Sequence, residues 1–114
     1  MTKYAGIVGW GKYLPPKVVT NDDLAKIVNT SDEWIASHTG IRERRVVEPG
    51  ATTVPMAVTA AREALAVAGL HPTELDLIIV STYSPDYHLP GAAPMVQHQL
   101  GATRAAAFDL RAGC

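Results

Sequence analysis

The stretch "TVPMAVTAAREALAVAGLHPTELDLIIVS", residues 53–81, decides the fold, because its periodicity changes halfway along. In the first half Val54, Val58, Ala61, Leu65 and Ala68 recur at alternating spacings of four and three, the apolar stripe of a helix packed on one side. Thr53 stands where a cap would open that helix, and Gly69 where a left-handed residue would close it. "HPTEL" links it to "LDLIIVSTY", residues 75–83, whose continuous, β-branched apolar centre predicts a strand buried on both faces. A helix that passes straight into such a strand is the repeating step of an α/β layered fold.

The same alternation continues on both sides. Downstream, "SPDYHLPG" (84–91) reads as a loop and "AAPMVQHQLG" (92–101) as a small-residue helix ended by Gly101. "AAAFDL" (105–110) then predicts a second buried strand, leading into "RAGC". Upstream, "YAGIVGWG" (4–11) predicts a first strand, and the prolines of "YLPPKVV" (13–19) prevent a helix after it. Two capping-box patterns, Thr20 with Asp23 and Thr30 with Glu33, predict two helix starts, the second helix closing at Gly40. "IRERRVV" (41–47) is a charged strand or connector, and "EPGATT" a loop. No helix follows the last strand to cover it. Residues 1–114 are therefore expected to form one N-terminal piece of a larger fold, truncated at Cys114.

Bulk composition narrows the class without naming a function. The chain has 114 residues, 47% of them hydrophobic, and a formal net charge of −1. That balance carries no footprint for nucleic acid or an anionic membrane surface. No segment is long enough to span a bilayer, and the N-terminus lacks the apolar core of a secretory signal. A single cysteine excludes an internal disulfide and points to a reducing, cytoplasmic setting.

Few residues carry chemistry. Cys114 follows two small residues at the exit of a predicted strand. At a helix start its thiol would be acidified and nucleophilic; buried, it would behave as an inert small hydrophobe. Gly6, Gly9 and Gly11 have the spacing of a dinucleotide loop reversed, with no helix after them, so a strand and its turn is the better reading. His38, His71, His88 and His98 share no ligand spacing, and no metal is expected. Asp86 and His88 read as solvated loop residues, and Arg42, Arg44 and Arg45 as a solvated face rather than a phosphate site. Trp34 offers either a core anchor or a flat surface for an aromatic ring; the sequence does not separate the two, and the core is the default.

Taken together, "TNDDL…TSDEWIASHTGIRERR", "STYSPDYHLPG" and "AFDLRAGC" resemble, in order and spacing, β-ketoacyl-acyl-carrier-protein synthase III over the whole chain. The resemblance implies a thiolase-like fold, α-β-α-β-α when complete, of which this chain is most of the first half. It implies that Cys114 takes an acyl group from a short acyl-coenzyme A and passes it to malonyl-acyl carrier protein. Trp34 matches a position that stacks on the adenine of coenzyme A, Thr30 a nearby hydrogen-bonding position, and His38 a position usually held by arginine. Leu89 matches a residue that crosses a homodimer interface to shape the partner's acyl pocket. The histidine and asparagine that activate malonyl lie outside these residues, so the fragment alone is expected to be inactive. The resemblance implies no resident cofactor. A relative forming an ester or amide in secondary metabolism, or a non-catalytic coenzyme A-binding half, are the alternatives.

Overall fold

Residues 2–112 are described by a computed structural model, and the chain divides into two compact units, Leu14–Ala51 and Met1–Tyr13 with Thr52–Cys114. In the larger unit the predicted alternation is realised as α3 (Thr53–Ala68), a 3-10 turn (Pro72–Glu74), β3 (Leu77–Ser81), α4 (Ala92–Leu100) and β4 (Ala106–Leu110). Strands β3 and β4 pair in parallel, from Leu77 opposite Ala106 to Ser81 opposite Leu110, with α4 as their crossover.

The α3 stripe is buried as its periodicity requires. Val54 and Val58 meet Ala92, Val96, Leu100, Ala102 and Ala105, and Ile78, Val80 and Met95 pack against them. Both helices thus cover one face of the β3–β4 ladder. The other face departs from the expectation of strands buried on both sides: Leu77, Ile79, Phe108 and Leu110 remain 46–50% exposed. The reason is that the helices of this chain supply only one covering layer.

The start of α3 is also displaced by one residue from its expected cap. Thr52 holds the cap position without a side-chain hydrogen bond, and Thr53 is the first helical residue. Its hydroxyl donates instead to the Ser84 carbonyl at 2.6 Å, while the Val54 amide donates to Asp86 Oδ1 at 3.0 Å. Asp86 therefore serves as a helix cap supplied from a distant loop, not as a solvated residue.

The predicted first strand, residues 4–11, has no regular strand structure, since no strand among the described residues pairs with it. It runs along α3 instead. A Cβ at Gly9 would overlap the Ala64 carbonyl, and one at Gly11 the Ala60 carbonyl, so this close backbone approach needs glycine.

In the smaller unit β1 (Lys17–Thr20) pairs antiparallel with β2 (Glu43–Val46), followed and preceded respectively by α1 (Asn21–Ala25) and α2 (Asp32–Thr39). The Thr20 capping box forms as predicted, with the Asp23 amide donating to Thr20 Oγ1 and the Thr20 amide to Asp23 Oδ2. Lys26 Nζ donates to Asp23 Oδ1 at 2.8 Å. That bond, helped by the Thr20 donors, holds the Asp23 carboxyl well below the usual carboxylate range and raises Lys26.

Candidate functional site

Helix α2 exposes its aromatic side chain rather than burying it. The cap is Ser31, whose hydroxyl accepts from the Trp34 amide at 3.1 Å, and not Thr30 as the sequence pattern suggested. Either residue can cap, and only the backbone turn decides between neighbours. Gly40 closes the helix in the left-handed conformation, as expected.

On this helix Trp34 and His38 lie one turn apart and stack, ring centroids 4.4 Å apart at an interplanar angle of 22°. His38 Nδ1 lies 2.7 Å from the Trp34 carbonyl. A carbonyl only accepts, so Nδ1 is the donor in this contact. Trp34 is 57% exposed, which rules out the core anchor within its unit. Its indole borders a hollow of about 360 Å³ lined by Asn29, Thr30, Ser31 and Trp34. The structure thus brings Trp34, Thr30 and His38 together.

A buried polar hub, missed in the sequence, holds α2 in place. Asn21 is 1% exposed. Its amide nitrogen donates to Asp32 Oδ1 at 2.7 Å and to the Ile41 carbonyl at 2.8 Å, while its oxygen accepts from Arg44 at 2.7 Å. Arg44 also donates to the Val19 carbonyl, and Arg42 pairs with Asp32. Arg45 donates to the Pro15 carbonyl and pairs with Glu43. Arg42 and Arg45 are thus exposed, as a solvated face requires, and only the half-buried Arg44 is a structural tie.

In the larger unit Leu89 is 89% exposed on the loop between β3 and α4. That loop is fixed at both ends. Ser84 and Asp86 bind the start of α3, and Gly91 lies against Asp109 of β4. Asp109 accepts from the Ala92 and Ala93 amides. Of Asn21, Asp86 and Asp109, only Asp109 carried a signal in the sequence, a lone carboxylate inside the apolar run 105–110. Cys114 lies outside the described residues.

Among the described residues no three His, Cys, Asp or Glu side chains converge as metal ligands, and no helix is long and apolar enough to cross a membrane.

No family model matches the chain. A β-ketoacyl-[acyl-carrier-protein] synthase III from Caldanaerobacter subterraneus subsp. tengcongensis is 53% identical over 110 residues, covering 96% of this chain and 33% of that protein. The crystal structure of 3-oxoacyl-[acyl-carrier-protein] synthase III from Aquifex aeolicus superposes with a TM-score of 0.86 at 52% identity, covering 93% of this chain and 34% of that one. The priming β-ketosynthase of the R1128 polyketide biosynthetic pathway superposes with a TM-score of 0.87 at 42% identity, covering 93% of this chain and 32% of that one. The chain spans about a third of the length of the curated relatives it matches. The fold is α/β, of the thiolase-like kind these neighbours share.

Proposed function

Because this chain corresponds in sequence and fold to the N-terminal third of β-ketoacyl-acyl-carrier-protein synthase III enzymes, we propose that it carries the acyl-accepting part of such an enzyme, active in starting fatty acid synthesis. The Cys114 thiolate attacks the carbonyl of a short acyl-coenzyme A. The carbon–sulfur bond to coenzyme A breaks, and coenzyme A leaves as a thiolate that takes up a proton. Malonyl-acyl carrier protein then loses carbon dioxide. The resulting carbanion attacks the acyl-cysteine, releasing the Cys114 thiolate and a β-ketoacyl chain two carbons longer. Backbone amides stabilise the oxyanion of each tetrahedral intermediate. The histidine and asparagine that assist decarboxylation belong to a second half of the enzyme. Coenzyme A is a substrate carrier here, and no resident cofactor takes part.

The observation that carries this reading is the exposed Trp34 indole, backed by His38 and bordering the hollow beside Thr30. An aromatic plane with one ring already stacked on it leaves its other side to receive a purine. Leu89, nearly fully exposed on a loop tied at both ends, suits a residue that reaches into a partner subunit's acyl pocket in a homodimer. The setting is cytoplasmic.

Intact mass measurement of the full-length protein after exposure to short acyl-coenzyme A tests the proposal. One acyl adduct mapping to Cys114, absent in Cys114→Ser, is expected. No adduct under conditions where acyl-coenzyme A binds would overturn covalent catalysis in favour of a non-catalytic coenzyme A-binding role. A second reading, an acyltransferase of secondary metabolism, draws on the likeness to the polyketide priming synthase. It keeps the acyl-Cys114 step and differs in the acceptor, so transfer to an alcohol or amine in place of malonyl-acyl carrier protein would favour it.

A further inference from the structure

We propose that Asp109 is a positioning residue whose single carboxylate fixes both the loop carrying Leu89 and the strand exit leading to Cys114. The inference rests on the acyl-enzyme reading above. Asp109 is the penultimate residue of β4 and lies on the half-buried side of that strand. Its Oδ2 accepts from the Ala92 amide at 2.8 Å and its Oδ1 from the Ala93 amide at 2.6 Å. These are donors that a helix start cannot satisfy internally, and bonds to an ionised acceptor are about twice as strong as neutral ones.

An ordinary cap comes from the residue just before the helix. Here that residue is Gly91, which has no side chain to offer. It presses instead on the carboxylate from the loop side, so closely that a Cβ at Gly91 would lie 2.7 Å from Asp109 Oδ2 and 2.8 Å from Cγ. Three segments therefore meet at one side chain: the end of the 84–91 loop, the first turn of α4 and the end of β4. Leu89 stands two residues before Gly91, and Cys114 five residues after Asp109. The strand end cannot slide along α4 without breaking both hydrogen bonds, and the loop cannot lift without uncovering the carboxylate. The loop that carries Leu89 and the end of β4 are thereby referred to one fixed point.

Asp109→Asn in the full-length protein tests this, because it keeps the shape but sets an N–H₂ donor against a backbone N–H. Amide exchange at Ala92 and Ala93 is expected to quicken at least tenfold. The maximal rate of acyl transfer to Cys114, read by intact mass, should fall at least tenfold. The acyl-coenzyme A concentration giving half that rate should move less than twofold, since the α2 platform is untouched. Gly91→Ala crowds the same carboxylate and should reproduce the pattern, which keeps the test standing if Asp109→Asn does not fold. Native exchange in both variants, a native maximal rate, or a loss confined to the half-saturating concentration would overturn the positioning role. A wild-type protein that takes no acyl group refutes the functional reading instead, and the clamp is then judged by amide exchange alone.

Discussion

A tryptophan and a histidine one turn apart on a short helix are ordinary in sequence, and their significance lies in what they leave uncovered. Trp34 is more than half exposed although it is the largest side chain on α2, and its ring is held by the His38 stack and by a helix capped at Ser31. A pre-oriented aromatic plane loses little freedom when a base settles on it. Trp34→Ala is therefore expected to weaken coenzyme A binding by about 1–3 kcal/mol, the worth of base–aromatic stacking in single-stranded nucleic-acid complexes. Isothermal titration of the full-length protein measures this, and unchanged affinity would reassign the indole to packing. Sequence patterning alone left the core and the exposed-platform readings unseparated here. Exposure is a property of what the rest of the chain covers, which the four letters around Trp34 do not encode.

Elements are where local reading succeeds and long-range reading fails. Helices α3 and α4 and strands β3 and β4 were legible because periodicity and terminating glycines are written within each segment. The ties between elements were not. Asn21 bonds to residues 11 to 23 positions away, and Asp86 caps a helix 32 positions before it. The apolar run at 4–11 misled for the same reason, since a strand exists only with a neighbour to share its hydrogen bonds. The Asn21 hub gives the clearest energetic consequence. Asn21→Ala leaves Asp32, the Ile41 carbonyl and Arg44 each short of a partner, an expected cost of about 1–3 kcal/mol for a buried group left unsatisfied. Ser31→Ala removes only one exposed helix cap, worth about 1 kcal/mol. Urea unfolding should rank Asn21→Ala as the more destabilising, and the reverse order would show that the hub contributes little to holding α2.

At the scale of the molecule, the chain builds a parallel strand pair and covers one side of it. Parallel sheets occur almost only with both faces covered, yet Leu77, Ile79, Phe108 and Leu110 stay about half exposed along the open face. Four large apolar side chains at alternate positions of two paired strands form a contiguous patch, and such patches mark surfaces that work while buried. The curated relatives are about three times as long as the chain. Ile79→Lys in the full-length protein discriminates between a covered and an open face. Under a covering layer the ammonium is desolvated without a partner, and the variant should lose at least about 2 kcal/mol of stability. On a face left in water, an added lysine changes stability by no more than about 0.5 kcal/mol, as surface substitutions generally do. Thermal unfolding of the two proteins side by side reads the difference, and a variant as stable as wild type would mean that β3 and β4 function with one face bare.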